Sequence, residues 1–122
     1  MSSVICGSLA FDTIMNFEGG FSEQILPDQL HNLNVSFLVP ALRREYGGCA
    51  GNIAYSLRQL GGTPLPMATV GSDGAGYLAR LKAQGISTEF VRVVDDLYTA
   101  QAMIMTDRDN NQITAFHPGA MM

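Results

Sequence analysis

Residues 47–62 read GGCAGNIAYSLRQLGG, a glycine loop followed by a helix-like stretch and two further glycines. Glycine lets the backbone approach a ligand closely, and the first N–H groups of a helix have no partners within that helix. Asn52 adds an amide that can donate and accept hydrogen bonds at once. The stretch therefore predicts a strand-to-helix loop that binds a small polar ligand. The same spacing is also typical of ordinary helix boundaries, and both interpretations stay open at this point.

The composition is that of one globular domain, or part of one. Of the 122 residues, 47% are hydrophobic and 15% are charged, and the formal net charge is −4. Because no cluster of Lys and Arg can neutralise a row of phosphates, we expect no nucleic-acid partner. No apolar run approaches the roughly 18 residues of a membrane span, so we expect no membrane partner and a cytoplasmic location.

The two cysteines, Cys6 and Cys49, lie far apart without a Cys-x-x-Cys pair or histidines at metal-binding spacing. This pattern predicts free thiols in a reducing compartment, with neither a disulfide nor a metal site. We expect Cys49 to be a small buried residue of the loop rather than a reactive thiol.

Apolar runs alternate with helical patterns, which predicts an α/β layer. Core strands are predicted at 4–11, 66–70 and 90–94, and we expect the first to be buried on both faces. Helices are predicted at about 51–60 and 73–84, with Asp73 as the N-cap of the second and Gly85 at its C-terminal end.

Two β excursions leave this layer. The first, over 13–45, contains short apolar pieces broken by glycine and proline, and residues 34–39 are predicted to form a strand. The second consists of 99–106 and 112–116, which flank a polar turn of hairpin length. If the hairpin pairs with the first excursion, a small second sheet forms, with a cleft between it and the layer.

The order and spacing of several motifs resemble the ribokinase-like (PfkB) family of sugar and nucleoside kinases. The motifs are Gly7-Ser8 with Asp12, the loop 47–52, Val70-Gly71-Ser72-Asp73 with Gly76, and Gly85-Ile86. Residues 21–27, 36–39 and 116–121 look most like the bacterial adenosine kinase branch of that family. The resemblance covers essentially the whole chain.

The resemblance implies an α/β fold, a Rossmann-like ribokinase-fold core with a small β-sheet lid. The core would comprise 1–12 and 47–98, and the lid would comprise 13–46 and 99–118. It implies an ATP- and Mg²⁺-dependent phosphotransferase with an alcohol group as acceptor, which in the adenosine branch is the 5′-hydroxyl of adenosine. It also implies a homodimer formed through the lid.

The Gly-Ala-Gly-Asp segment that carries the catalytic Asp in this family does not occur in the sequence. We therefore predict no catalytic residue here and interpret the chain as the N-terminal, substrate-binding portion of such a kinase. Most of the ATP and Mg²⁺ site would lie in a C-terminal part, and the chain alone is expected to bind weakly and to be inactive.

By the same resemblance, a set of residues would contact the sugar or nucleoside substrate: Ser8, Asp12, Ser36, Gly47, Gly48, Asn52 and Phe116. The Asp12 carboxylate can accept hydrogen bonds from two vicinal ribose hydroxyls, or it can cap a turn. Phe116 corresponds to an aromatic that stacks on the base, although ordinary lid packing explains a phenylalanine equally well. Ala102 departs from the branch, which can carry a second aromatic there, so a weaker base sandwich or a different substrate follows.

Three alternatives stay open. The substrate can be a free sugar such as ribose or fructose, or the chain can be a non-catalytic unit that dimerises through its lid. Residues 74–79, after an apolar strand and before the acidic strand end at 95–96, also mimic the glycine turn of an NAD-binding domain.

Overall fold

The computed structural model describes residues 1–122, which form a parallel three-stranded sheet, a mixed four-stranded sheet and three α-helices. The strands are β1 (Ser2–Cys6), β2 (Ala10–Asn16), β3 (Ala41–Gly47), β4 (Thr63–Gly71), β5 (Val91–Val94), β6 (Ala100–Thr106) and β7 (Gln112–His117). The α-helices are α1 (Phe21–Gln24), α2 (Cys49–Gln59) and α3 (Ala75–Ala83), and Pro27–Asn32 and Gly119–Met121 form 3₁₀ helices. None of these helices combines the length and the hydropathy that a membrane-spanning helix requires.

The parallel sheet has the order β1-β4-β5, and the mixed sheet has the order β3-β2-β6-β7. In the mixed sheet β2 and β6 run parallel, whereas β3 and β7 pair antiparallel with their neighbours. The main hydrophobic core lies between the parallel sheet, α2 and α3. Its buried members are Leu9, Phe11, Ala54, Val70, Tyr77, Leu81 and Ile86. The α/β fold class predicted from the sequence is thus confirmed.

Strand β4 carries two fully buried prolines, Pro64 and Pro66. Proline cannot donate to a sheet ladder, so it needs a position without a neighbour on its nitrogen side. Strand β5 pairs with β4 only from Ala68 to Gly71, whereas β1 pairs with it from Thr63 to Met67. The prolines therefore lie where the sheet is two strands wide.

The single strand predicted over 4–11 is wrong, because the run divides into β1 and β2, which belong to different sheets. Gly7 packs tightly on α2, where a Cβ would lie 2.7 Å from the Cys49 sulfur. The chain turns at Gly7 and Ser8 and leaves the parallel sheet. Burial of the first strand on both faces is also wrong, since the Val4 side chain is 57% exposed.

The strand predicted over 34–39 is wrong as well. That segment is extended but unpaired, and Phe37 packs edge-on against Phe17 and Phe21 at centroid distances of 5.1 and 5.3 Å. The second strand of the excursion is instead β3, which pairs with β2 along its whole length. Charged side chains are tolerated there because β3 is an edge strand with one open side.

Helix α3 begins later than the capping rule predicts. Gly74, not Asp73, is its N-cap residue, and the Asp73 carboxylate instead accepts a hydrogen bond of 2.8 Å from the Thr99 N–H. Thr99 in turn accepts the Gly71 N–H through its hydroxyl at 2.9 Å. These two bonds join the end of β4 to the start of β6, and so connect the two sheets. The C-terminal glycine prediction is confirmed, since Gly85 has a φ of +73°.

The predicted hairpin is confirmed as β6 and β7, and Asp107 organises its turn. The Asp107 carboxylate accepts hydrogen bonds from the Asp109 and Asn111 N–H groups, the Asn111 amide and the Phe21 N–H, all at 2.9 to 3.1 Å. Burial alone would raise the pKa of this carboxyl, but these hydrogen bonds outweigh it and lower the pKa to about 2. Because Phe21 is the first residue of α1, the same carboxylate fixes the excursion to the hairpin.

We expect Asp107 to make the fold sensitive to acid. A carboxyl whose folded pKa lies below its unfolded value stabilises the fold fully above about pH 4 and loses that contribution as pH falls toward 2. Asp107→Asn should lower the urea midpoint at pH 7 and flatten its decline between about pH 4 and 2. Asp109→Asn, in the same turn but exposed, is the matched control. Equal pH dependence of wild type and Asp107→Asn would contradict this role.

Candidate functional site

The mixed sheet presents Asp12 and Phe116 on one face. In the strand register Asp12 lies opposite Ala102, and Ala102 lies opposite Phe116. Directly opposed residues point to the same side of a sheet, so the three side chains form a row across β2, β6 and β7. With strands about 4.8 Å apart, the carboxylate and the ring are carried about 10 Å from each other. The Phe116 side chain is 54% exposed and can receive a ligand.

Glu45 extends this row onto β3, because it lies directly opposite Asp12. It forms an ion pair with Arg43 at 3.6 Å, and both side chains are more than half exposed. The arginine offsets the repulsion between two carboxylates on neighbouring strands. Glu45 was not among the residues predicted from the sequence, because β3 was not predicted. Residues 41–47 read ALRREYG, and the three consecutive charged residues hide the two-residue period of a strand.

Gly47 ends β3 beside Asp12. A Cβ at Gly47 would collide with the Asp12 carboxylate, so a side chain there would displace that group from the sheet face. Gly47 lies opposite Ala10, two residues before Asp12, on the same face of the sheet. The structure therefore brings the predicted residues Asp12 and Gly47 into direct proximity.

Gly48 and Ser8 form a close backbone crossing at the start of α2. Gly48 has a φ of +89° and is the N-cap residue, and a Cβ on it would collide with the Ser8 carbonyl group. The Ser8 carbonyl oxygen accepts the N–H groups of Ala50 at 3.0 Å and Gly51 at 3.4 Å. The Ser8 hydroxyl accepts the N–H of Cys49 at 3.1 Å.

Ser8 thus accepts hydrogen bonds from the first three N–H groups of α2. The prediction that these groups point without partners toward a ligand is wrong, because a serine from the β1–β2 connection takes them. The polar group nearest to this loop on the neighbouring sheet face is the Asp12 carboxylate, which lies beside Gly47. Ser8 serves the loop by fixing the position of the helix.

Cys49 is exposed, so its predicted burial is wrong. The hydrogen bond from the Ser8 hydroxyl, and then the Ser8 N–H, lower the pKa of the Cys49 thiol. Together with Cys6, Ser8 and Met67 it lines an open cavity of about 580 Å³. No group of three or more His, Cys, Asp or Glu side chains is placed to hold a metal ion.

Asn52 and Ser36 do not belong to the mixed sheet that carries the row. Asn52 is inside α2, one turn from its start, so a capping role for it is excluded. Asn52 is exposed and lines a second cavity of about 290 Å³ together with Tyr46, Tyr55, Tyr77 and Arg80. Ser36 is exposed in the unpaired segment before β3 and makes no hydrogen bond to the other predicted residues.

Tyr77 is a residue of this region that the sequence analysis missed. Its hydroxyl donates a hydrogen bond of 2.6 Å to the Gly47 carbonyl oxygen. The available signal was a tyrosine four residues before Leu81 on the buried face of α3, since a buried phenol needs a hydrogen-bond partner. Nothing in the sequence indicates which group that partner is.

The close approach of Gly48 to Ser8 predicts that Gly48→Ala lowers the free energy of unfolding. A non-glycine residue at this φ and ψ is strained by about 1–3 kcal/mol, and the collision with Ser8 adds to that cost. Gly61→Ala is the matched control, because Gly61 has a φ of +86° but no atom within 4 Å of the place where a Cβ would lie. Urea unfolding should show a clearly larger loss for Gly48→Ala. Equal losses would mean that the crossing imposes no steric constraint.

Comparison with known proteins gives a consistent result. The sequence profile "pfkB family carbohydrate kinase" matches residues 9–122. A nucleoside kinase of Methanocaldococcus jannaschii is 36% identical over 123 residues, which cover 98% of this chain and 37% of that protein. The chain thus spans little more than a third of the length of this curated relative.

Solved structures agree with this similarity. Burkholderia thailandensis nucleoside kinase in complex with inosine superposes with a TM-score of 0.78 at 59% identity, over 98% of this chain and 37% of that one. The Methanocaldococcus jannaschii nucleoside kinase, described as an archaeal member of the ribokinase family, gives a TM-score of 0.82 at 34% identity over the same shares. The Burkholderia protein is also known in complex with ADP-inosine.

Proposed function

The chain belongs to the pfkB family of carbohydrate kinases, and on that premise we propose that it is the substrate-binding, N-terminal portion of an ATP-dependent nucleoside kinase. Members of this family are phosphotransferases. The proposed acceptor is the 5′-hydroxyl of a purine nucleoside, with adenosine as the substrate expected from the sequence. The inosine complex of the similar Burkholderia kinase makes inosine a second purine to test.

The observation that carries the proposal is the row formed by Asp12, Ala102 and Phe116. A carboxylate accepts two hydrogen bonds, which suits the vicinal hydroxyls of a ribose. An exposed aromatic ring about 10 Å away suits a planar base attached to that ribose. A free sugar such as ribose or fructose has no base for the ring to contact, so the row favours a nucleoside.

The division into lid and core is part of the proposal. The parallel sheet with α2 and α3 would be the first part of the core, over 1–12 and 47–98. The mixed sheet and its excursion would be the lid, over 13–46 and 99–118. The substrate would lie under the sheet face that carries Asp12, with Ser8, Ser36, Gly47, Gly48 and Asn52 around it.

In this proposal, Asp12 and Phe116 orient the nucleoside. Holding both vicinal hydroxyls on Asp12 fixes the ribose and leaves the 5′-hydroxyl free, and such positioning accounts for much of phosphoryl-transfer catalysis. ATP with Mg²⁺ supplies the phosphoryl group when bound, and we place its site mainly outside this chain. We therefore expect the 122-residue chain to bind nucleoside weakly and to phosphorylate nothing by itself.

The opposite face of the mixed sheet supports a homodimer formed through the lid. Its register places Leu42, Met15, Met105 and Ile113 in one apolar row across all four strands. Leu42 is 64% exposed and Ile113 is 43% exposed, which favours contact with a second copy. A cytoplasmic location fits the free thiols.

A thermal-shift titration tests the proposed substrate class. Adenosine, inosine, ribose, fructose and NADH are each added to the chain, and a ligand at a hundredfold its Kd adds about 2.7 kcal/mol to stability. We expect the Tm to rise with the purine nucleosides only. A rise with NADH alone would favour an NAD-binding domain, and a rise with ribose or fructose alone would favour a sugar kinase.

Phe116→Ala provides the sharper test of nucleoside recognition. Stacking of a base on an aromatic ring contributes about 1–3 kcal/mol, so we expect purine nucleoside affinity to fall about 5- to 150-fold by titration calorimetry. Ribose affinity should not change, because ribose has no base. Thr114→Ala is the control, because Thr114 is exposed and lies on the same strand and the same face, two residues from Phe116. Equal weakening for ribose and nucleoside would contradict base stacking on this ring.

A further inference from the structure

Tyr77 connects α3 to the loop that precedes α2. Its side chain is only 2% exposed, and its hydroxyl donates to the Gly47 carbonyl oxygen at 2.6 Å. Gly47 is the last residue of β3, where the ladder with β2 ends and the chain turns into α2. The hydrogen bond therefore holds the chain at the point where it leaves the sheet.

The backbone closes around this phenol from two sides. A Cβ on Gly51 would collide with the Tyr77 hydroxyl, so the first turn of α2 packs directly against it. The hydroxyl is thus confined between the end of β3 and the start of α2. Glycine at position 51 is what leaves room for the tyrosine.

Aromatic packing fixes the ring that carries the hydroxyl. Tyr46 lies edge-on to Tyr77 at a centroid distance of 5.0 Å, and Phe11 lies tilted to it at 5.8 Å. Arg80 lies over the Tyr46 ring at 4.7 Å. Because Phe11 and Tyr46 immediately precede Asp12 and Gly47, the Tyr77 ring contacts both strands that carry the proposed ribose contacts.

We propose that Tyr77 is a positioning residue, which sets the Gly47–Gly48 turn against the Asp12 carboxylate for nucleoside binding. This inference rests on the proposed function of that sheet face. Tyr77 itself is not expected to contact substrate, since its hydroxyl is used by Gly47 and its ring is buried.

The phenol is suited to act as a permanent donor. Burial, and to a smaller extent the nearby Asp12 and Tyr46, raise the pKa of Tyr77 to about 12, although Arg80 opposes the shift. The hydroxyl therefore keeps its proton throughout the physiological pH range. Changes of pH within that range therefore leave the donor of the hydrogen bond to Gly47 in place.

Tyr77→Phe removes only the hydroxyl and retains the ring. Tyr55→Phe is the matched control. Tyr55 and Tyr77 both line the cavity of about 290 Å³, but Tyr55 is 46% exposed and its hydroxyl makes no hydrogen bond. We measure amide hydrogen exchange at residues 47–52 of the whole chain, adenosine affinity by calorimetry, and unfolding in urea. For Tyr77→Phe we expect exchange at 47–52 to accelerate about tenfold and adenosine affinity to fall about tenfold. Tyr55→Phe should change neither.

The exchange measurement needs no ligand, so it separates this inference from the proposed function. If the wild-type chain binds no purine nucleoside, the proposed function fails. Faster exchange in Tyr77→Phe that is confined to 47–52 would still show that the Tyr77–Gly47 hydrogen bond holds this segment. Exchange that stays as slow as in wild type, or that rises equally in all elements, would overturn the positioning role. Faster loop exchange with unchanged adenosine affinity in a chain that does bind would overturn it too.

Discussion

The close crossing of Ser8 and Gly48 is the constraint on which the relative position of α2, β1 and β2 depends. Ser8 takes three N–H groups of α2, and Gly48 approaches the Ser8 backbone more closely than any side chain would permit. The crossing fixes where α2 begins. It also turns the chain out of the parallel sheet between β1 and β2, so the strand that carries Asp12 starts in the mixed sheet.

A second junction joins the two sheets independently of the first. Thr99 is fully buried, accepts the Gly71 N–H through its hydroxyl and donates its own N–H to Asp73. Gly71 packs directly on the backbone of Leu97 and Tyr98, where a Cβ would collide. With the loop at Gly48 on one side and Thr99 on the other, the mixed sheet is held at two points of the parallel sheet. The face that carries Asp12 is therefore presented at a defined position.

The sequence predicted those parts of the structure that depend on short-range chemistry. The hairpin turn and the glycine at the end of α3 follow from local conformational preferences, and both are confirmed. The division of 4–11 into two strands and the pairing of β3 depend on contacts with distant residues, and both were missed. Tyr77 shows the same limit within the site, since its partner Gly47 lies 30 residues away and offers only a backbone carbonyl.

The two prolines of β4 impose a direction on the parallel sheet. Beside Pro64 and Pro66 no incoming strand can find the N–H donors that a ladder requires, so that flank is closed to recruitment. The free edge of β1 presents the backbone N–H and C=O groups of alternate residues between Ser2 and Cys6, since no strand pairs with it on that side. Along its first half, the parallel sheet therefore offers a further strand a complete hydrogen-bonding edge only next to β1.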